Sequence, residues 1–313
     1  MPAVSVILCT HNRAGVLRET LPTIIRQSMA EGDWELVVVD NGSRDATRAV
    51  VDSCTAGVPY ARYVFEPEVG LSAARNRGIA ETTGDVVVFV DDDVEAPTDW
   101  LARLVAGFDR FPDAAAIGGR VELVLPGPRP QWLTPSLAGF LAEFDRGDAA
   151  TVLPPPEFPV GANMALRRSW LEKLGPFRTS LGRRGSSLGA SEEEEYFGRL
   201  RAAGGQIAYV PDAALRHLIP ESRVEPAWFR RRAFAQGRSS VVLLDEQRRR
   251  GRVELVARAL SALGHAVVGR DAFARRAATG AAGRFGGAVV SLTWLGCAVE
   301  CARLAVSPRG ARP

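Results

Sequence analysis

Val86-Val87-Val88-Phe89-Val90 runs straight into Asp91-Asp92-Asp93, and this junction constrains the chain more than any other stretch. Five apolar, mostly β-branched residues suit a buried strand, with the three acids emerging at its carboxyl end. Two more runs have the same form. Val4 to Cys9 ends at Thr10-His11-Asn12-Arg13, and Leu36 to Val39 ends at Asp40-Asn41-Gly42-Ser43. Between them, Val16, Leu17, Leu21, Ile24 and Ile25 recur at helical spacing over Ala14 to Met29. Alternation of this kind predicts an α/β fold with a mainly parallel central sheet flanked by helices. Ligands of such sheets bind outside the carboxyl ends of the strands, so the three polar ends are expected around one crevice.

Three adjacent carboxylates repel one another unless a cation lies among them. Hard divalent ions take such oxygens and complete their shell with substrate phosphates. The triplet therefore points to metal-assisted chemistry on a phosphorylated substrate, against a competing reading as helix caps or solvated acids. Asp40 poses the same choice between a ligand-side carboxylate and a cap in a βα loop. Gly70 to Gly78 places Arg75, Asn76 and Arg77 at the start of a predicted helix, a position suited to phosphate.

With 313 residues, 46% of them hydrophobic, the chain can bury a full core as one large domain, alone or with an extension. Its net charge of +3 is unevenly spread: residues 226 to 313 hold 16 Arg, no Lys and 5 acids, a net +11, which leaves −8 for the rest. A basic end on an acidic body suits an anionic surface. Nucleic acid is not expected, since no reading motif accompanies the charge. Cys9, Cys54, Cys297 and Cys301 lack zinc-site spacing, and with no secretory signal the expected place is the cytoplasm. Phe285 to Val299 is an uncharged run of 15 residues, shorter than the roughly 20 that span a bilayer. A buried or interfacial helix is expected there, and with Trp228 to Arg232 and Arg248 to Arg250 it suggests peripheral attachment to anionic lipid.

Pro126 to Pro130 and Pro154 to Pro156 read as loops bounding an inserted segment, Gly182 to Ser191 as a mobile loop, and Pro220 and Pro226 as a domain boundary. Two domains are expected, 1–220 and a basic helical extension, 221–313.

Five motifs then stand in a telling order: Val4 to Arg13, Val37 to Ser43, Gly70 to Gly78, the Asp91 triplet with Pro97 and Trp100, and Gly161-Ala-Asn-Met-Ala165. Over residues 3 to 218 the chain resembles the family 2 glycosyltransferases. The resemblance implies a GT-A fold, a nucleotide-diphospho-sugar donor, a divalent metal (Mn²⁺ or Mg²⁺) and transfer with inversion. It places Thr10, Asn12 and Arg13 in the nucleotide pocket, Asp40 on the base, and Arg75 on the nucleotide or diphosphate. Asp91 and Asp93 match the family's DxD pattern, one facing the ribose and one the metal, with Asp92 leaving that assignment open by one position. In the frame of the family's acidic motif before Arg199-Leu200, Glu193 stands where the catalytic Asp does, as general base, with Glu192 second. His217 could approach the metal or diphosphate. Trp132, Phe158 and Trp170 could stack on sugars or pack in the core.

The resulting expectation is a metal-dependent inverting glycosyltransferase that uses a UDP-sugar, with GDP and dTDP as alternatives. Its acceptor is a hydroxyl on a saccharide, a lipid-linked sugar or a small molecule. Two other classes stay open: a noncatalytic nucleotide-sugar-binding or scaffold protein, and a sugar nucleotidyltransferase.

Overall fold

The structure is a computed structural model and describes residues 3–185, 188–248, 251–276 and 281–307. The elements run β1 (Val4–Thr10), α1 (Ala14–Ile25), β2 (Trp34–Asp40), α2 (Thr47–Thr55), β3 (Ala61–Phe65), α3 (Leu71–Ala80), β4 (Val86–Asp91), β5 (Val94–Glu95), α4 (Trp100–Arg110) and β6 (Ala114–Val124). There follow α5 (Pro135–Ala138), β7 (Thr151–Val152), β8 (Asn163–Arg167), α6 (Arg168–Leu174), α7 (Glu192–Ala202), β9 (Gln206–Leu218), α8 (Pro226–Arg248), α9 (Arg252–Arg276) and α10 (Ala281–Val306).

The chain forms two compact units. The first holds residues 1–124, 142–179 and 192–218, and the second holds 125–141, 180–191 and 219–313. Residues 125–141 and 180–191 thus group with the C-terminal helices.

In the first unit the strands lie in the order β3-β2-β1-β4-β8-β6-β9-β5, with β7 on β9. The pairs among β1, β2, β3 and β4 are parallel. Beyond β4 the sheet turns mixed, since β8 is antiparallel to both β4 and β6. That reversal matters for the site. It sets the start of β8, with Asn163 opposite Val90, at the carboxyl end of β4.

The three apolar runs form the centre of this sheet. Val6, Ile7 and Leu8, Val37, Val38 and Val39, and Val87 and Val88 are all buried, with Leu17, Leu21 and Ile24 of α1 packed over them. The first helix ends at Ile25, four residues before the predicted end. Beyond it the chain bonds elsewhere: Ser28 donates its N–H to the Thr98 carbonyl at 2.7 Å.

In the second unit, α10 runs well past the uncharged stretch. Glu300 is buried and held by Arg238 at 2.8 Å and by Arg303 at 2.6 Å. The paired charge lets the helix continue, so Gly283–Val306, 24 residues, is long and apolar enough to cross a membrane by length and composition. Trp228 and Phe229 are buried, and Phe229 and Phe285 pack around Trp132. Of the predicted arginine cluster at 248–250, residues 249 and 250 lie outside the described residues, as do Ser186 and Ser187 of the loop before α7.

Candidate active site

Parallel register brings the polar strand ends level. Thr10 lies opposite Asp40, and Cys9 opposite Asp91. Each chain then turns over the same edge of the sheet.

Contacts divide the acidic triplet. Asp92 is buried: one carboxylate oxygen accepts from Thr10 Oγ1 at 2.7 Å, and the other lies 3.4 Å from Arg13 Nε. Thr20 Oγ1 holds its backbone carbonyl at 2.7 Å. Burial pushes the Asp92 carboxyl up, to about 6, with Arg13 opposing and Asp93 adding. Asp93 reaches in another direction. Its Oδ1 lies 2.9 Å from His217 Nε2, and its Oδ2 meets the Arg13 guanidinium. His217 is delivered by strand pairing, for it stands opposite Val94, and the next N–H, Leu218, donates to the Asp93 carbonyl at 2.8 Å. Burial alone would lower the pKa of Arg13, but Asp92 and Asp93 hold it above its ordinary value.

The chemistry of three side chains near this edge, though not their grouping, is that of a divalent-cation site. Asp91 and Asp93 offer carboxylate oxygens and His217 an imidazole nitrogen, which are ligands that Mg²⁺ or Mn²⁺ accepts. Among the described residues no group of three or more His, Cys, Asp or Glu side chains is placed so that it could by itself hold a metal ion. Remaining ligands would come from substrate phosphates and water.

Asp40 is buried and engaged within the protein: Oδ1 accepts from the Ser43 N–H at 2.9 Å and Oδ2 from Tyr63 OH at 2.9 Å. The first contact is the turn-capping role that competed with base recognition in the sequence. Burial, then the bond to Asp40, raises the Tyr63 phenol to about 12. Asn12, at φ 53°, takes its place in the loop by accepting from the Arg44 N–H at 2.8 Å. Asn41 joins the second polar strand end to the start of the Gly70 to Gly78 motif, accepting from Gly70 N–H at 2.7 Å and donating to the Glu68 carbonyl at 2.7 Å. Its amide sits in a quoted motif, but nothing local in the sequence shows that it spans 29 residues to Gly70.

Arg75, which the resemblance sets on the nucleotide or diphosphate, is engaged within the protein by two glutamates. Its side chain is 2% exposed, between the rings of Phe89 and Phe177, and its NH2 donates to Glu193 Oε1 at 2.9 Å. NH1 lies 3.6 Å from Glu192. Burial would lower its pKa, yet Glu193, then Glu192 and Asp91, hold it above the ordinary value. One cation thus lies in the field of both the triplet and the candidate base. Gly161 makes the space, because a Cβ there would collide with Arg75 NH2 and Glu193 Oε1.

The four glutamates of α7 have separate fates. Glu192 is buried, Glu194 is exposed, and Glu195 is buried against Arg178 at 2.8 Å and Arg199 at 2.9 Å. Glu193 is 23% exposed and held from one side by Arg75. The other motif residue, Asn163, is a structural knot: it donates to the carbonyls of Arg120 and Ala213 and accepts from the Trp100 indole at 3.0 Å. Phe158 stacks on Phe197, and Lys173 sits over Trp170, so both rings have partners within the protein.

A family model described as "Glycosyl transferase family 2" matches residues 5–175, more than half of the chain. The chain belongs to glycosyl transferase family 2. This glycosyltransferase is 31% identical over 252 residues to "Succinoglycan biosynthesis protein ExoM" of Rhizobium meliloti, covering 78% of this chain and 76% of that one. It is 28% identical to "Glucosyl-dolichyl phosphate glucuronosyltransferase" of Haloferax volcanii, covering 77% of each. Among solved structures it resembles the mannosyltransferase PcManGT from Pyrobaculum calidifontis in complex with GDP-Man and Mn²⁺, with TM-score 0.59, 25% identity, and coverage of 97% of this chain and 85% of that one. The GT-A fold implied by the sequence is the fold observed.

Proposed function

We propose that this family 2 glycosyltransferase moves a sugar, with inversion at the anomeric carbon, from a nucleotide-diphospho-sugar to an acceptor hydroxyl, with Glu193 as general base. The observation that carries the proposal is the buried Arg75, which grips Glu193 at 2.9 Å while lying in the field of Asp91. A base must meet an incoming acceptor yet keep a fixed direction, and a half-buried carboxylate on a buried cation does both. Glu192, lying deeper, is the second choice.

In the step, the acceptor oxygen attacks the anomeric carbon from the face opposite the leaving group. Its proton passes to the Glu193 carboxylate, and the bond to the diphosphate breaks with the electron pair leaving on the nucleoside diphosphate. A bound Mn²⁺ or Mg²⁺, held by Asp93, Asp91 and His217, would supply countercharge for that diphosphate. Arg13 adds fixed positive charge beside Asp93, and Thr10, through Asp92, stiffens the same edge. Thr10, Asn12, Arg13 and Asp40 border the nucleotide. Asp40 would meet the base from the carboxylate that Ser43 and Tyr63 orient. UDP is the favoured nucleotide. GDP is the second reading, supported by the GDP-Man and Mn²⁺ of the mannosyltransferase. The names of the two relatives support an acceptor in polysaccharide or lipid-linked glycoconjugate synthesis.

Glu193→Gln keeps the hydrogen bond to Arg75 and removes the base. Turnover should fall roughly 10²- to 10⁴-fold while the thermal shift produced by UDP or GDP with Mn²⁺ stays as in the parent. Unchanged turnover would remove Glu193 from the role.

A further inference from the structure

The second unit carries an apolar surface that the sugar-transfer chemistry does not use. Helix α9 has two apolar faces. Its inner face is covered: Leu255 is buried in a small cluster with Val241 of α8 and Cys301, Leu304 and Ala305 of α10. Its outer face shows Val253, Val256, Leu260, Leu263 and Val267, spaced three and four residues apart in turn, so they align along one side of the helix. Their exposures are 85, 50, 65, 45 and 73%. The stripe is about 21 Å long at 1.5 Å per residue. The one acid within it, Glu254, bonds Arg258 at 3.3 Å on another side. α10 shows a shorter stripe of Leu295, Val299 and Val306, also exposed, while Glu300 points into the unit.

We propose that the α9 stripe seats this unit on an anionic lipid bilayer, with the valines and leucines at the level of the headgroups and arginines around them. Charge carries the choice of occupant. Residues 226 to 313 hold 16 Arg against 5 acids, and Arg252, beside the stripe, and Arg284 and Arg303 of α10 are exposed. Apolar residues on one face with arginines beside them are the composition of interfacial helices, and each element adds to binding. A second copy is a poorer occupant. Between residues 252 and 267 the positions that flank the stripe, Arg252, Ala257, Ala259, Gly264 and Ala266, offer no acid to meet an arginine of a second copy. Two units of net +11 would also repel. This places the membrane contact away from Trp228 and Phe229, whose burial removes them from the surface.

The test is co-sedimentation of the full chain with vesicles of phosphatidylcholine alone or with about one third phosphatidylglycerol. The parent should sediment with the anionic vesicles, weakly with neutral ones, and be released by high salt. Leu260→Glu with Val267→Glu, both at exposed positions, should cut binding at least tenfold with the thermal melt unchanged. Arg252→Glu should weaken anionic binding alone. Equal sedimentation of the parent and the Leu260/Val267 variant, or equal binding of the parent to both vesicle types, would overturn the proposal. So would light scattering that finds a dimer in the parent and a monomer in that variant, which would assign the stripe to a second copy. Transfer to a soluble acceptor reads the sugar-transfer reading separately.

Discussion

Replacing Arg75 by Met tests the central link of the site. Arg75 and Glu192 are 2 and 5% exposed and Glu193 is 23% exposed, so solvent screens the group weakly. Removing the cation takes from two carboxylates the guanidinium that lies between the rings of Phe89 and Phe177, and breaking a buried pair in this way costs about 3–5 kcal/mol. At about 2–4 °C per kcal/mol for a unit of this size, the melting temperature should fall by roughly 6–20 °C. Differential scanning fluorimetry reads this directly. The triple variant Arg75→Met, Glu192→Met, Glu193→Gln removes all three charges, and a buried pair replaced by groups of similar volume is close to neutral. It should therefore regain at least half of the loss while remaining inactive. A single variant melting within about 2 °C of the parent, or a triple variant less stable than the single, would refute the reasoning, because either result means that Arg75 does not compensate the glutamates.

Asn163→Ala strands two carbonyls and an indole N–H, each costing about 1–3 kcal/mol when buried unsatisfied. With partial relaxation, the melt should fall by roughly 6–12 °C. Cys9 is raised to about 12, chiefly by burial with Arg75 opposing. At pH 8 its alkylation, followed by mass spectrometry, should run about a thousandfold slower than that of an ordinary thiol. Because its folded pKa lies above the unfolded one, the associated stability is full below about pH 8.5 and is lost as pH rises toward 12.

The strands and their polar ends were legible because five consecutive apolar residues leave a buried strand few alternatives, and because acids at its end must leave the core. Motif order carried the family. The mixed half of the sheet was less legible, since Asn163 to Arg167 reads the same whether β8 runs parallel or antiparallel. The extra turns of α10 were hidden too, because Glu300 and Arg303 look like stops until Arg238, 62 residues away, is seen to pair with Glu300.

Sequence alone determined which residue types arrive at the carboxyl edge of the sheet: Thr10, Asp40, Asp91, Asp92 and Asp93. Tertiary structure decided what each one faces. Asp92 turned inward to Thr10 because burial favours a hydrogen-bonded carboxylate. Asp93 met His217 because β9 pairs with β5. Arg75 met Glu193, 118 residues distant, because only a glycine at 161 leaves room for both. Local sequence sets strand and helix through its own backbone, whereas these contacts depend on chain segments that only the packed core brings together.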